Sequence, residues 1–226
     1  MIPIKDNIES NTKPIVNYSL IIANIIVFIY QLTLSIPEIK DVIYTYGFIP
    51  KVFRFNLKNN LFELATYKQL ITHMFLHGNL VHIFSNLWFL YIFGDNVEDR
   101  LGHIRYLFFY LLSGIGACLT QYVFDTNSSI PMIGASGAIS GVLGGYVVLY
   151  PYAKVLTIIP VFLFIPLPIP ALIFIFLWFI FQIINALTSL VMPYSNVAWI
   201  AHIAGFLIGY KYVKSFVNKK DKVYYI

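Results

Sequence analysis

The sequence predicts an all-α polytopic membrane protein, and three observations carry that reading. Hydrophobic residues make up 59% of the 226 positions and charged residues only 11%. A soluble domain of this size carries about 25% charged residues. The mean hydropathy is +0.76, and the apolar residues fall in long blocks rather than in short alternating runs. Blocks of that length are spans, because lipid accepts only structures that satisfy their own backbone hydrogen bonds. The single Cys118 lies inside such a block and forms no internal disulfide.

Taken in order, residues 1–16 form a short polar N-terminus with Lys5 and Lys13, without the small-residue cleavage site of a secretory signal. The membrane domain then occupies 17–216. Its first span is about 17–34. Residues 36–69 make a long connection rich in Tyr, Phe and Lys, the composition of a folded loop lying in the bilayer interface. The second span starts at Asn79, a good N-cap. Its apolar part ends at Phe93, too short for a crossing, so the helix continues past Asp95 and Glu98 to Gly102. The third span is 103–124 and the fourth 133–150. The stretch 155–190 is broken by Pro160, Pro166, Pro168 and Pro170. It reads as a surface or re-entrant piece followed by a fifth span from about Pro170. The sixth span is 196–216, and a basic tail fills 217–226.

Six spans put both ends on one side. If that side is the cytoplasm, it gathers most of the Lys and Arg residues, while Lys40, Lys51, Arg54, Lys58 and Lys68 stay in the long first loop. The bias predicts a cell-membrane protein (plasma or inner membrane) with both termini cytoplasmic. Lysines next to a span sit on anionic lipid, so the tail is no argument for nucleic acid.

The spans hold few strongly polar side chains, and each needs a reason. Residues 133–145 read Ile-Gly-Ala-Ser-Gly-Ala-Ile-Ser-Gly-Val-Leu-Gly-Gly. Ser136, Ser140 and Gly144 make one i,i+4 stripe, with Gly137, Gly141 and Gly145 beside it. In the last span His202, Gly205 and Gly209 share a face flanked by Ala198 and Ala201. Two faces this lean can bring helix backbones into contact. Counted from Pro131 and Asn196 at 1.5 Å per residue, Ser136 and His202 both lie roughly 8 Å below the outer surface. His82 and Asn86, on one face of the second span, lie roughly 5–10 Å below it. Four polar groups thus reach one level. Ser136 is the candidate nucleophile and His202 its general base and later acid. The fourth, fifth and sixth spans contain no Asp or Glu to orient the imidazole, so the arrangement is a dyad. His82, Asn86 and the backbone at Ala135 and Ser136 are candidates to stabilise an oxyanion.

Together these residues resemble the rhomboid family of intramembrane serine proteases. The resemblance rests on Gly134-Ala135-Ser136-Gly137, Ala201-His202-Ile203-Ala204-Gly205 with Gly209, and His77-Gly78-Asn79 through His82 to Asn86. It also rests on Gly94-Asp95-Asn96-Val97-Glu98-Asp99-Arg100-Leu101-Gly102. It implies a six-span bundle with an interfacial first loop, catalytic Ser136 and His202, and oxyanion help from His82 and Asn86. It also implies close helix packing at Gly134, Gly137, Gly141, Gly205 and Gly209. Substrates would be transmembrane helices of other proteins, cut near their outer ends, with the bilayer as the other partner and no cofactor. His77 would sit near a water-filled mouth, and the fifth span, with Trp178, Phe179 and Phe181, would act as a lateral gate. The alternative in the same family is a catalytically silent protein that binds membrane helices for quality control. Such proteins lose the nucleophile or the base, and this chain keeps both. Two positions depart from the pattern. Phe53-Arg54 stands where many members have Trp-Arg, and Ser140 stands where some place an aromatic against the histidine. His73, His77 and His82 lack the Glu of a His-Glu-x-x-His zinc helix, so no metal is expected. Glu98 and Arg100, at a helix end, read as a structural cap or ion pair, and no repeat of halves points to a transporter.

Overall fold

The computed structural model describes residues 1–59, 61, 63–159, 165–191 and 197–217. Asn196, Pro160 and all of the expected tail beyond Val217 lie outside the described residues.

The chain opens with strand β1 (Ile2–Lys5) and helix α1 (Ile15–Leu32). The buried carboxylate of Glu98 accepts the backbone N–H groups of Val16 at 2.9 Å and Asn17 at 2.6 Å. A helix start leaves such donors unpaired and carries partial positive charge. Glu98 is therefore the cap of α1, the structural role its position implied. The connection that follows is helical: α2 (Ile36–Tyr46), α3 (Pro50–Asn59), α4 (Leu64–Thr72) and a single 3₁₀ turn, His73–Phe75. At the start of α2 the Ser35 N–H and hydroxyl both donate to the Glu38 carboxylate, at 2.8 and 2.6 Å.

Helix α5 (Leu80–Leu101) begins where expected, its N-cap Asn79 accepting the His82 N–H at 2.8 Å, and runs on through the acidic segment. Then come α6 (His103–Phe124), α7 (Ser136–Leu149), α8 (Ala171–Val191) and α9 (Trp199–Phe216). Three helices among the described residues are long and apolar enough to cross a membrane by length and composition: Ile15–Leu32, His103–Phe124 and Ala171–Ser189. Helix α7 is apolar but shorter.

The all-α expectation needs one correction. Strands β2 (Lys154–Ile158) and β3 (Pro166–Pro170) join β1 in an antiparallel sheet of order β1-β2-β3. Of the prolines that suggested a surface or re-entrant piece, Pro166, Pro168 and Pro170 occupy alternate positions of an edge strand. Successive residues point their N–H groups to opposite sides, so Pro166, Pro168 and Pro170 all face the unpaired edge, where no donor is needed. Residues 2–5 are accordingly part of the fold.

The core is aromatic and lies between α5, α6, α7 and α8. Phe93 meets Tyr146 edge-on at 4.9 Å and stacks with Phe174 at 6.1 Å. A second cluster of Phe48, Phe53 and Cys118 packs the first connection against α6. There Phe53 meets Tyr122 edge-on, and Arg54 donates to Asn127 at 2.6 Å. Phe53-Arg54 thus anchors the connection to the segment that leads into α7.

Candidate active site

Three local features deliver Ser136 to its place. An antiparallel bridge between Phe48 and Met132, with hydrogen bonds of 3.0 and 2.8 Å, pins the approach to α7. Gly134 then adopts φ +116°, a backbone that side-chain-bearing residues avoid, and donates its N–H to the His73 carbonyl at 2.9 Å. Helix α7 starts at once, with Ser136 in its first turn.

Helix α9 is held against α7 by the two lean faces. A methyl group on Gly205 would stand 2.1 Å from the Gly137 carbonyl oxygen, and one on Gly209 would stand 1.9 Å from that of Gly141. On Gly144 it would meet the Phe206 carbonyl at 2.1 Å. Only glycine fits, because backbone meets backbone. Gly137 and Gly141 are crowded instead by Ala117 and Ser113 of α6.

That approach brings His202 Nε2 to 2.7 Å from Ser136 Oγ. The other ring nitrogen, Nδ1, lies 2.9 Å from Oε1 of Gln182 on α8. Trp199 meets the imidazole edge-on at 5.7 Å. Ser140 turns away and donates to the Ser136 carbonyl at 2.7 Å, so it does nothing to the ring. Ser136, His82 and His202 all keep partial exposure.

His82 and Asn86 converge on Gly134 from α5. A methyl group there would lie 2.6 Å from His82 Nε2 and 3.5 Å from Asn86 Nδ2. The Gly78 N–H approaches His82 Nδ1 at 3.5 Å, the arrangement that suits a ring proton on Nε2, the nitrogen nearest Gly134. Asn86 Nδ2 is buried without a partner among the described residues. Two donors therefore point at one small space beside the N-terminus of α7. Ala135 is fully buried behind it.

His77 lies beside His82. Expected near a water-filled mouth, it is itself buried, its ring 5.0 Å from that of His82 and both ring nitrogens without a partner among the described residues, and its backbone is clamped in both directions by the Gln31 carboxamide at 3.1 Å. His73 Nδ1 is engaged by the Gln69 carbonyl at 2.8 Å. The residue that the sequence reading missed is Gln182. The rule that singled out His202, that a polar side chain inside an apolar span needs a reason, applied to it equally.

With this geometry in view, comparison with known proteins places the chain. The family described as Rhomboid domain matches residues 65–219, well over half of the sequence. The chain belongs to the rhomboid family. Among its relatives, Rhomboid-like protein 11, chloroplastic, of Arabidopsis thaliana is 41% identical over 73 residues, covering 32% of this chain and 26% of that protein. Rhomboid protein 1, mitochondrial, of Saccharomyces cerevisiae is 27% identical over 171 residues, covering 73% of this chain and 47% of the yeast protein. Rhomboid protease GluP of Bacillus subtilis is 37% identical over 87 residues, 38% of this chain and 17% of that protease. The chain thus spans less than half the length of these curated relatives. Rhomboids are a polytopic membrane fold, and the apolar helices of this chain make it a membrane protein.

Proposed function

We propose that this rhomboid is an intramembrane serine endopeptidase that cuts transmembrane helices near the outer leaflet. The observation that carries the reading is the 2.7 Å hydrogen bond between Ser136 Oγ and His202 Nε2. With Nδ1 protonated, Nε2 has its lone pair toward the serine and accepts the hydroxyl proton as Oγ attacks the scissile carbonyl. The new carbonyl oxyanion is met by Nε2–H of His82, Nδ2–H of Asn86 and the N–H groups where α7 begins, at Ala135 and Ser136. His202 then passes the proton to the leaving amine, and an acyl-enzyme remains on Ser136. Water entering the half-open site gives its proton to His202 and attacks the ester carbonyl; the bond to Oγ breaks, His202 returns the proton to Ser136 Oγ, and the acid leaves.

In this reading α1, α5, α6, α7, α8 and α9 are the six spans. Helix α5, at 22 residues, is about 33 Å long. The basic residues put both termini and the small sheet on the cytoplasmic side of a cell membrane. The relatives named for chloroplasts and mitochondria make an organelle membrane the alternative placement, which fractionation of the native host decides. The catalytically silent alternative fits less well, since nucleophile and base are both retained and hydrogen-bonded.

Purified protein in detergent should cleave a model transmembrane substrate, and Ser136→Ala and His202→Ala should each abolish the cut. Undiminished cleavage by Ser136→Ala would refute the assignment.

A further inference from the structure

Ser136 and His202 form a dyad by sequence, with no carboxylate on α7, α8 or α9 to orient the base. A neutral imidazole carries one proton, and general-base work on the serine needs it on Nδ1 so that Nε2 is free. We infer that Gln182 is the positioning residue that sets this tautomer, acting as an uncharged third member of the group. The inference rests on the reading of Ser136 and His202 as nucleophile and base.

The carboxamide has one orientation that fits. Its Nε2 lies 3.2 Å from the Trp178 carbonyl oxygen, and its Oε1 lies 2.9 Å from His202 Nδ1. Rotating the amide by half a turn would set its oxygen against the Trp178 carbonyl, two acceptors with no proton between them. The Trp178 carbonyl therefore keeps the amide nitrogen, and the histidine is left facing an acceptor. An acceptor at Nδ1 draws the ring proton there. Gln182 is 3% exposed, so water does not compete for the bond. Its own helix is seated on α9 by Phe179 against Phe206, ring centres 4.4 Å apart, and by Trp178 against the same ring at 6.3 Å. Nucleophile, base and acceptor thus come from three helices. The base is held in its working form only while α8 is seated against α9.

The proposal separates an acceptor from mere packing. Gln182→Met keeps the length of the side chain and removes the acceptor; Gln182→Glu keeps an acceptor at the same reach. In detergent, kcat and KM of both variants on one transmembrane substrate are compared with wild type, and thermal unfolding checks that each is folded. Met should lower kcat by roughly ten- to a hundred-fold with KM little changed. Glu should stay within a few-fold of wild type. A packing role predicts the opposite order, because a buried, unpaired carboxylate is tolerated worse than a thioether. Met equal to wild type, or Glu worse than Met, overturns the proposal. NMR of protein labelled with ¹⁵N-histidine supplies a readout that needs no cleavage. His202 should show the Nδ1–H tautomer in wild type and a mixture in Gln182→Met; the same tautomer in both overturns the role of Gln182. A wild type that cuts nothing refutes the protease reading instead, and the NMR comparison still decides whether Gln182 holds the ring.

Discussion

At the scale of single residues, the site is a set of donors and acceptors each held from behind. His202 is held at Nδ1 by Gln182, and His82 at Nδ1 by the Gly78 N–H. Asn86 is different, since its buried amide nitrogen has no partner among the described residues. A buried donor left unpaired costs about 1–3 kcal/mol, so its presence in a folded protein asks for a reason. A partner that exists only in the transition state supplies one. Asn86→Ala should therefore lower kcat by roughly ten- to a thousand-fold while KM hardly moves. A change confined to KM would make Asn86 a substrate-binding residue. Ser136, His202, His82 and Asn86 were all legible in the sequence, because each is a polar group at a depth where lipid tolerates few. Gln182 is also a polar side chain inside an apolar span. It went unread because an amide inside a span can bond its own helix backbone, as Gln182 also does at the Trp178 carbonyl, and nothing in the sequence shows that its oxygen meets His202.

At the scale of elements, the contact between α7 and α9 sets the geometry. Four glycines, at 137, 141, 144 and 145, sit inside α7, and each costs a helix interior about 1 kcal/mol relative to alanine. They are kept because neighbours fill the space a side chain would need: the Phe206 backbone of α9 at Gly144, Ala117 and Ser113 of α6 at Gly137 and Gly141, and the Phe109 ring at Gly145. Gly209→Ala places a methyl group 1.9 Å from the Gly141 carbonyl oxygen, and a backbone atom has little room to retreat. The two helices must part, at a cost of about 1–3 kcal/mol or more. The variant should show a lower unfolding temperature and slower cleavage together, since the same separation stretches the bond between Ser136 and His202. Unchanged stability would mean that the helices are not in backbone contact. This pairing was readable as two lean stripes of i,i+4 spacing. The sheet was not, because β1 and β3 are short and their partner β2 lies more than a hundred residues from β1. The alternate prolines of β3 look like a chain break until the edge they line is seen.

At the scale of the whole molecule, the N-terminal segment closes the end of the bundle opposite Ser136. Asp6 accepts hydrogen bonds from Tyr146 of α7 and, at 2.8 Å, from Asn96 of α5, while Asp99 accepts the Thr12 hydroxyl and N–H at 2.7 and 2.8 Å. Burial pushes the Asp6 carboxyl up from 3.8 to about 6; the Tyr146 hydroxyl opposes the shift and the charge of Asp95 adds to it. A carboxyl raised on folding binds more protons in the folded state than in the unfolded one. Its stabilising contribution is complete below about pH 4 and is lost as pH rises through 6. The wild-type unfolding temperature should thus fall between pH 4 and 7 relative to that of Asp6→Asn, which has no such proton to lose. Parallel curves would mean that Asp6 is solvated. The central claim, however, concerns Ser136 and the base beside it. A fluorophosphonate that modifies activated serines, followed by peptide mass spectrometry, tests it most directly. A single adduct is expected on Ser136 in the wild type and none in His202→Ala; an adduct formed equally well without the imidazole, or on another serine, would show that Ser136 is not activated by His202.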